Sequence, residues 1–322
     1  MRIVVTGAAG FIGGHLFQRL LKQGHVLCGI VRTIEETSPT RVASAAKLQS
    51  VIEGHPNAAL RACNSLDSLL EIVARFRPDA CVHLAGRSSV RESLQNPGLY
   101  EDANCRFSMG LLEALRAAGC RRVVHASTVM VYGKDAPSPY CEKHLGSSPL
   151  SFYGASKLAV ETQMNAWRAL HGMETINLRL FSVYGPGLRR DCVPYLIASA
   201  ILENRAFNLF GDGSSQRDYV ALEDVLAAIE AALSVRWTDS FPTALNIGSG
   251  KGTRLIDLIQ LLERGLGKKL TLEFKPPVQG ELHSIIADVN QTEASLGWRP
   301  RVELAEGMGR LAKWFLDFEN FN

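Results

Sequence analysis

No stretch of this sequence stays apolar over the roughly 18 residues that a membrane-spanning helix needs, so no membrane partner is expected. Cysteine is present but has no pattern. The seven residues, Cys28, Cys63, Cys81, Cys105, Cys120, Cys141 and Cys192, are odd in number and contain no C-x-x-C pair. That argues against a disulfide framework and against the common metal spacings, so no metal is expected. Cys81 stands inside the apolar run "ACVHLAG". Thiols placed like this read as small buried hydrophobes in a reducing compartment. The first residues enter a strand pattern directly, with no signal peptide ahead of them, and a cytoplasmic protein is expected. Lysine plus arginine exceed aspartate plus glutamate by only 35 to 32, and the basic residues are spread. With no basic stripe, a nucleic-acid partner is not expected. Internal repeats and low-complexity stretches are also missing.

At 322 residues and 46% hydrophobic, the chain has room for one large domain or two modest ones. Short β-rich runs alternate with helical patterns through the first two-thirds. "RIVVTG" reads as a strand, 12–23 as a helix stopped by Gly24, and "HVLCGIV" as the next strand. "SLDSLLEIVARF" is helical, "ACVHLAG" a buried strand, and 98–118 a long helix. "RRVVHAST", 152–171 and "ETINLRLF" continue as strand, helix and strand, and "ALNIGSG" adds one more strand. This alternation predicts an α/β fold, a Rossmann-type doubly wound parallel sheet with helices on both faces. After residue 180 glycine and proline thicken, and a smaller, discontinuous C-terminal substrate domain is expected. The boundaries read as 1–178, with a return at about 219–250, for the dinucleotide domain, and 179–218 plus 251–322 for the substrate domain.

"TGAAGFIGGHL" places Gly7, Gly10 and Gly13 at three-residue spacing between a strand and a helix. Glycine there lets the backbone turn sharply, approach a pyrophosphate and pack the helix on the strand. The helix start then offers free N–H groups to the phosphates. Further on, "YGASKLAVE" puts Tyr153 and Lys157 on one face of a helix. A phenol titrates near 10, and a neighbouring ammonium favours its ionised form. Such a pair by itself is common on surface helices. Here "HASTVMVYG" also ends a strand with Ser127 and Thr128, whose hydroxyls could bond the same substrate oxygen. The combination is specific where each part alone is not.

On these residues the chain resembles the extended short-chain dehydrogenase/reductases, in the nucleotide-sugar epimerase/dehydratase group. The resemblance runs nearly end to end, through "TGAAGFIG", "RPDACVHLAG", "ASTVMVYG", "SPLSFYGASKLAVE", "LRLFSVYGPG", "FGDGSSQRDYVALEDV", "LNIGSG" and "ADVNQTEASLGWRP". It implies that Tyr153 is the catalytic base and acid, that Lys157 holds the nicotinamide ribose and that Thr128 assists at the reacting oxygen. Gly7, Gly10, Phe11, Ile12 and Gly13 would form the dinucleotide turn, with Leu84, Ala85 and Gly86 lining the groove. Leu180 and Val183 would lie near the nicotinamide. Arg217 would pair with the diphosphate of a nucleotide-sugar substrate, although a surface ion pair is the alternative. Ser88, Ser182 and Arg189 would face the sugar, and Glu281 the nucleotide ribose. The family also implies a homodimer through helices 98–118 and 152–171. Met109, Leu111, Leu112 and Leu115 could instead face the sheet.

The two residues after Thr128 narrow the reaction. Related 4,6-dehydratases read Thr-Asp-Glu there, and decarboxylases tend to keep the glutamate. Val129 and Met130 can move no proton. Hydride chemistry at one carbon remains. "SSVRESLQNPGLYEDANCRFSMGLLEAL" resembles the UDP-glucuronate and UDP-sugar 4-epimerases, although Ser182 departs from their pattern and Val278 stands where an arginine is expected. The second strand ends in Val31 and Arg32 without the usual acid. The cofactor is therefore NAD or NADP, and Arg32 leans toward the 2′-phosphate of NADP unless it merely stacks on adenine. An NADPH-dependent 4-ketosugar reductase is the alternative. A non-catalytic NADP-sensing protein is the remote one, since such proteins usually lose the tyrosine or the lysine kept here.

Overall fold

The first strand shows why the sheet forms. Ile3, Val4 and Val5 are fully buried in succession, as expected of a strand covered by helices on both faces. In the computed structural model, which describes residues 1–31, 39–146, 148–277 and 282–319, it is β1 (Arg2–Thr6). The next strands are β2 (Val26–Val31), β3 (Ala58–Ala62), β4 (Ala80–His83), β5 (Arg122–Thr128) and β6 (Glu174–Leu180). They are followed by β7 (Ser182–Tyr184), β8 (Phe207–Phe210), β9 (Gln216–Ala221) and β10 (Ala244–Ile247). Last come β11 (Gly252–Arg254), β12 (Leu272–Lys275) and β13 (Ser284–Ile285). Seven strands form the main sheet in the order β10-β6-β5-β4-β1-β2-β3. The ladders joining β3, β2, β1, β4 and β5 are all parallel. The order reverses beside β1, the switch point at which doubly wound sheets bind their ligands. This is the Rossmann-type α/β fold expected, and "ALNIGSG" does supply a sheet strand.

The chain divides into two compact units. The first is Met1–Gly133, Gly146–Arg179 and Ile229–Leu245; the second is Lys134–Leu145, Leu180–Ala228 and Asn246–Asn322. The return segment is narrower than 219–250 because β9 pairs with β7, β11 and β13 inside the second unit. Lys134–Leu145 belongs to the second unit for a similar reason. There the Tyr140 N–H donates to Ile286 O (2.8 Å), and Tyr140 O accepts from the Asp288 N–H (2.9 Å).

Local signals set the helix that matters most. Phe152–His171 starts where the Ser151 hydroxyl accepts from Gly154 N–H (3.0 Å). It ends at Gly172, whose φ of 62° suits glycine. The long helix expected over 98–118 is instead broken into three pieces. Pro97–Tyr100 and Phe107–Ala117 are α-helical, and Glu101–Arg106 between them is a π-helical turn. The extra residue in that turn brings Ala103, Asn104 and Cys105 all inward. Leu111, Leu112 and Leu115 are fully buried in the core with Val4, Cys81 and Val123, so they do face the sheet. Met109 stays at the surface, its sulfur accepting from the Trp167 indole N–H. Five of the cysteines are buried, and none is in a disulfide. Burial pushes the Cys28 thiol up to about 11 and the Cys120 thiol to about 12, far from reactive thiolates.

Candidate active site

The glycine turn closes against the end of β4. Gly7 has φ 70°, and a Cβ there would lie 2.8 Å from Ala85 N and 2.9 Å from Leu84 C. A Cβ on Gly13 would run into the Gly7 carbonyl oxygen. Thr6 ties the two strand ends together. Its carbonyl accepts from Leu84 N–H (3.2 Å) and its hydroxyl from Ala85 N–H (3.1 Å). The helix Phe11–Lys22 then starts at Gly10 with no side-chain cap. Its first N–H groups, at Phe11, Ile12 and Gly13, are the donors a helix start leaves for an anion. The turn therefore fits a dinucleotide pyrophosphate: the backbone approach is close at Gly7 and Gly13, and no side chain caps the helix start.

Leu84, Ala85 and Gly86 follow β4 as a half-buried stretch with Ser88, up to Ser89, which caps the helix Val90–Gln95. Asn104, from the π-helical turn, clamps this stretch. Its Oδ1 accepts from Arg87 N–H (2.8 Å), and its Nδ2 donates to Arg87 O (3.1 Å) and Ser156 Oγ (2.8 Å).

The three residues expected to react, Thr128, Tyr153 and Lys157, gather at the end of β5. Thr128 is 6% exposed, Tyr153 8% and Lys157 5%. The helix carrying Tyr153 packs closely here, since a Cβ on Gly154 would lie 2.5 Å from Met130 O. Thr128 Oγ1 accepts from Met130 N–H (3.3 Å), which leaves its O–H to donate. Lys157 Nζ donates to Ala126 O (2.8 Å) and lies 3.2 Å from His125 Nε2. Burial pulls the Lys157 ammonium down to about 8, opposed by the charge of Glu161. It is therefore mostly charged at neutral pH, beside a phenol that a cation helps to ionise. One turn on, Glu161 accepts from Ser127 Oγ (2.5 Å) and pairs with Arg179 (2.7 Å), all of them buried.

In the second unit, Leu180 ends β6, and Ser182 and Val183 lie in β7 opposite Tyr219 and Val220 of β9. Arg217, also in β9, pairs with Thr253 of β11 and Ile285 of β13, and its guanidinium donates to Gln216 O (2.8 Å). Arg189 is already engaged by a carboxylate, since Asp191 accepts from its Nε at 3.0 Å. Arg32 and Glu281 lie outside the described residues. Sequence reasoning missed His125, Asn104, Glu161 and Arg179. Only the polar letters inside apolar runs, as in "VVHAST", hinted at them.

Among the described residues no helix is long and apolar enough to cross a membrane, and no group of three or more His, Cys, Asp or Glu could hold a metal.

A switch-point glycine turn, a strand-end hydroxyl and a Tyr-x-x-x-Lys helix in one unit define an extended short-chain dehydrogenase/reductase. The chain belongs to the NAD dependent epimerase/dehydratase family, which it matches over residues 3–248, and is an NAD-dependent enzyme. It is 33% identical over 321 residues to a UDP-glucose 4-epimerase of Mycolicibacterium smegmatis, covering 98% of each chain. A UDP-glucuronic acid 4-epimerase from Bacillus cereus, solved in complex with UDP-glucuronic acid and NAD, is 29% identical with TM-score 0.87. That match covers 99% of this chain and 100% of the other. A UDP-glucose 4-epimerase from Thermotoga maritima, solved with UDP-glucose, is 27% identical with TM-score 0.88, over 99% and 100% of the two chains. The lean toward NADP drawn from Arg32 is not supported: the family is NAD dependent and the Bacillus cereus relative holds NAD.

Proposed function

We propose that the protein is a nucleotide-sugar 4-epimerase acting on a UDP-sugar, with UDP-glucuronate among the candidates. The observation that carries this reading is the buried cluster of Thr128, Tyr153 and Lys157, with Val129 and Met130 directly after the threonine. The cluster can move one proton at one oxygen, and neither Val129 nor Met130 can perform an elimination. Tyr153 takes the proton of the sugar hydroxyl and later returns it. Thr128 donates to the same oxygen and fixes its position. Lys157 supplies the positive charge that favours the phenolate and, with its remaining N–H, holds the nicotinamide ribose. Gly7, Gly10 and Gly13, with the open helix start, take the pyrophosphate. NAD, when bound, would accept hydride from the sugar carbon and give it back, so no net redox change occurs. Catalysis on this reading is positioning plus a tuned base.

The second unit, with Ser182, Arg189 and Arg217, is read as the side that holds the sugar nucleotide. Full-length similarity to 4-epimerases of UDP-glucose and of UDP-glucuronic acid supports a UDP-sugar without choosing between them.

The test uses purified protein with no cofactor added. It is incubated with UDP-glucose, UDP-glucuronate or UDP-N-acetylglucosamine, and NMR looks for each 4-epimer. Conversion of one of them is expected, and Tyr153→Phe should lower its kcat by about 10²–10⁴-fold with the fold intact. If none converts, and a 4-keto nucleotide sugar instead consumes added reduced dinucleotide, the protein is a reductase and the proposal fails.

A further inference from the structure

An ammonium has three N–H donors. One donor of Lys157 is fixed on Ala126 O at 2.8 Å, and a second points at His125 Nε2, 3.2 Å away. The second is a hydrogen bond only if that ring nitrogen carries no proton, and the neighbours of His125 decide this. Asn177 Nδ2 donates to Thr243 O (2.9 Å), which turns the amide so that its Oδ1 faces His125 Nδ1 at 2.8 Å. A carbonyl oxygen only accepts, so the ring hydrogen sits on Nδ1. Burial, with Lys157 and His83 nearby, holds His125 well below the ordinary histidine value against the opposing Asn177 bond, so the ring stays neutral. Nε2 is then a bare lone pair aimed at the lysine.

The remaining groups around Lys157 do not duplicate this. Tyr153 and Glu161 lie on its own helix, and Glu161 is engaged by Arg179 and Ser127. Cys105, from the π-helical turn, is pushed up to about 12 by burial and by its bond to Glu101, so it is uncharged at neutral pH. His83 stacks on His125 with centroids 5.3 Å apart, and its nitrogens are taken by Thr6 Oγ1 (2.7 Å) and Ser108 Oγ (2.8 Å). Burial lowers His83 to about 3, so it too is neutral.

We propose that His125 is a positioning residue for the reaction: locked by Asn177 as an acceptor, it keeps Lys157 charged and aims its third N–H into the site. This rests on the epimerase reading, in which Lys157 must be a cation, but its test does not need turnover. ¹⁵N NMR of histidine-labelled protein should show His125 neutral with the hydrogen on Nδ1. ¹³C NMR of labelled lysine should follow Lys157 through a midpoint near 8. In His125→Phe that midpoint should fall by about one to two pH units, the worth of a hydrogen bond to a charged group. The alkaline limb of kcat against pH should move down with it. His125→Gln, which keeps an acceptor near Nε2, should restore most of the shift. Should His125→Phe fail to fold, Asn177→Ala should release the ring to a mixture of tautomers and lower the midpoint by less. A hydrogen on Nε2, an imidazolium at neutral pH, or a Lys157 midpoint unmoved in a folded variant overturns the proposal. If the wild-type protein epimerises no sugar, the functional reading falls, and the tautomer and the lysine titration still decide this one.

Discussion

Two buried carboxylates, one in each unit, are held by opposite means. Glu161 is paired with a cation: Arg179 meets it through Nη2 at 2.7 Å and Nε at 3.0 Å, and Ser127 adds a third bond. Asp218 is held by backbone instead. It accepts from Ser249 N–H (2.6 Å), Gly250 N–H (2.9 Å) and Ala287 N–H (3.1 Å), and from the Ser249 hydroxyl (2.7 Å). The first arrangement compensates charge one helical turn from Lys157. The second ties together three stretches of chain that are distant in sequence. A buried ion pair is seldom a net gain in stability over apolar packing, so the Glu161 pair is best understood through its neighbour Lys157. Asp218 is best understood as a fastener of the second unit.

Breaking each in turn should separate these roles. Glu161→Gln removes the carboxylate that balances the buried Arg179 charge and should cost about 3–5 kcal/mol, read as a lower urea midpoint. A loss well under that would mean that the Tyr132 ring, 4.8 Å below the guanidinium, is enough to hold Arg179. Asp218→Asn puts an amide nitrogen against donors that need an acceptor and should cost about 1–3 kcal/mol. Native-state hydrogen exchange should show the loss in the second unit. This effect also carries a pH signature. Burial pushes the Asp218 carboxyl up, against the bonds from Ser249, Ala287 and Gly250. A raised folded value means that the folded state holds the proton more tightly than the unfolded chain. The stabilisation is therefore fullest below the ordinary aspartate range and falls as pH rises through the raised value. The gap between wild type and Asp218→Asn should narrow from acid toward neutral pH, and a gap that widens would reverse the assignment. The smallest effect belongs to the exposed pair. Asp191→Ala should change stability by less than about 1 kcal/mol. On the proposed function it removes the carboxylate that competes for Arg189, so KM should fall for UDP-glucuronate and not for UDP-glucose. An equal change for both would remove Arg189 from any carboxylate.

The same two regions show what could be read from the letters alone. The glycine turn was legible because Gly7 and Gly13 leave no room for a side chain, a demand written at fixed spacing. The helix 152–171 was legible because Ser151 and Gly172 mark its ends. Where structure depends on partners far away in the chain, the letters are silent. His125 takes its role from Asn177, 52 residues on. Lys134–Leu145 joins the second unit through Ile286 and Asp288. Hydrophobic spacing over 98–118 shows a helix but not its π-helical turn, because an extra residue leaves the apolar faces on either side intact. Arg189 looked available for a ligand because its engagement by Asp191, two residues away, comes from loop shape and leaves no periodic trace.

That π-helical turn also matters at the level of the gene. Glu101–Arg106 differs from an ordinary helical stretch by the equivalent of a single codon. Losing that codon would leave the helices before and after in register and the core leucines in place. Ala103, Asn104 and Cys105 could no longer all face inward; Asn104 would swing off Arg87 and Ser156, and the strip beside Gly86 would lose its clamp. A lineage could loosen the stretch that follows β4 by one small deletion, while the protein it makes still folds.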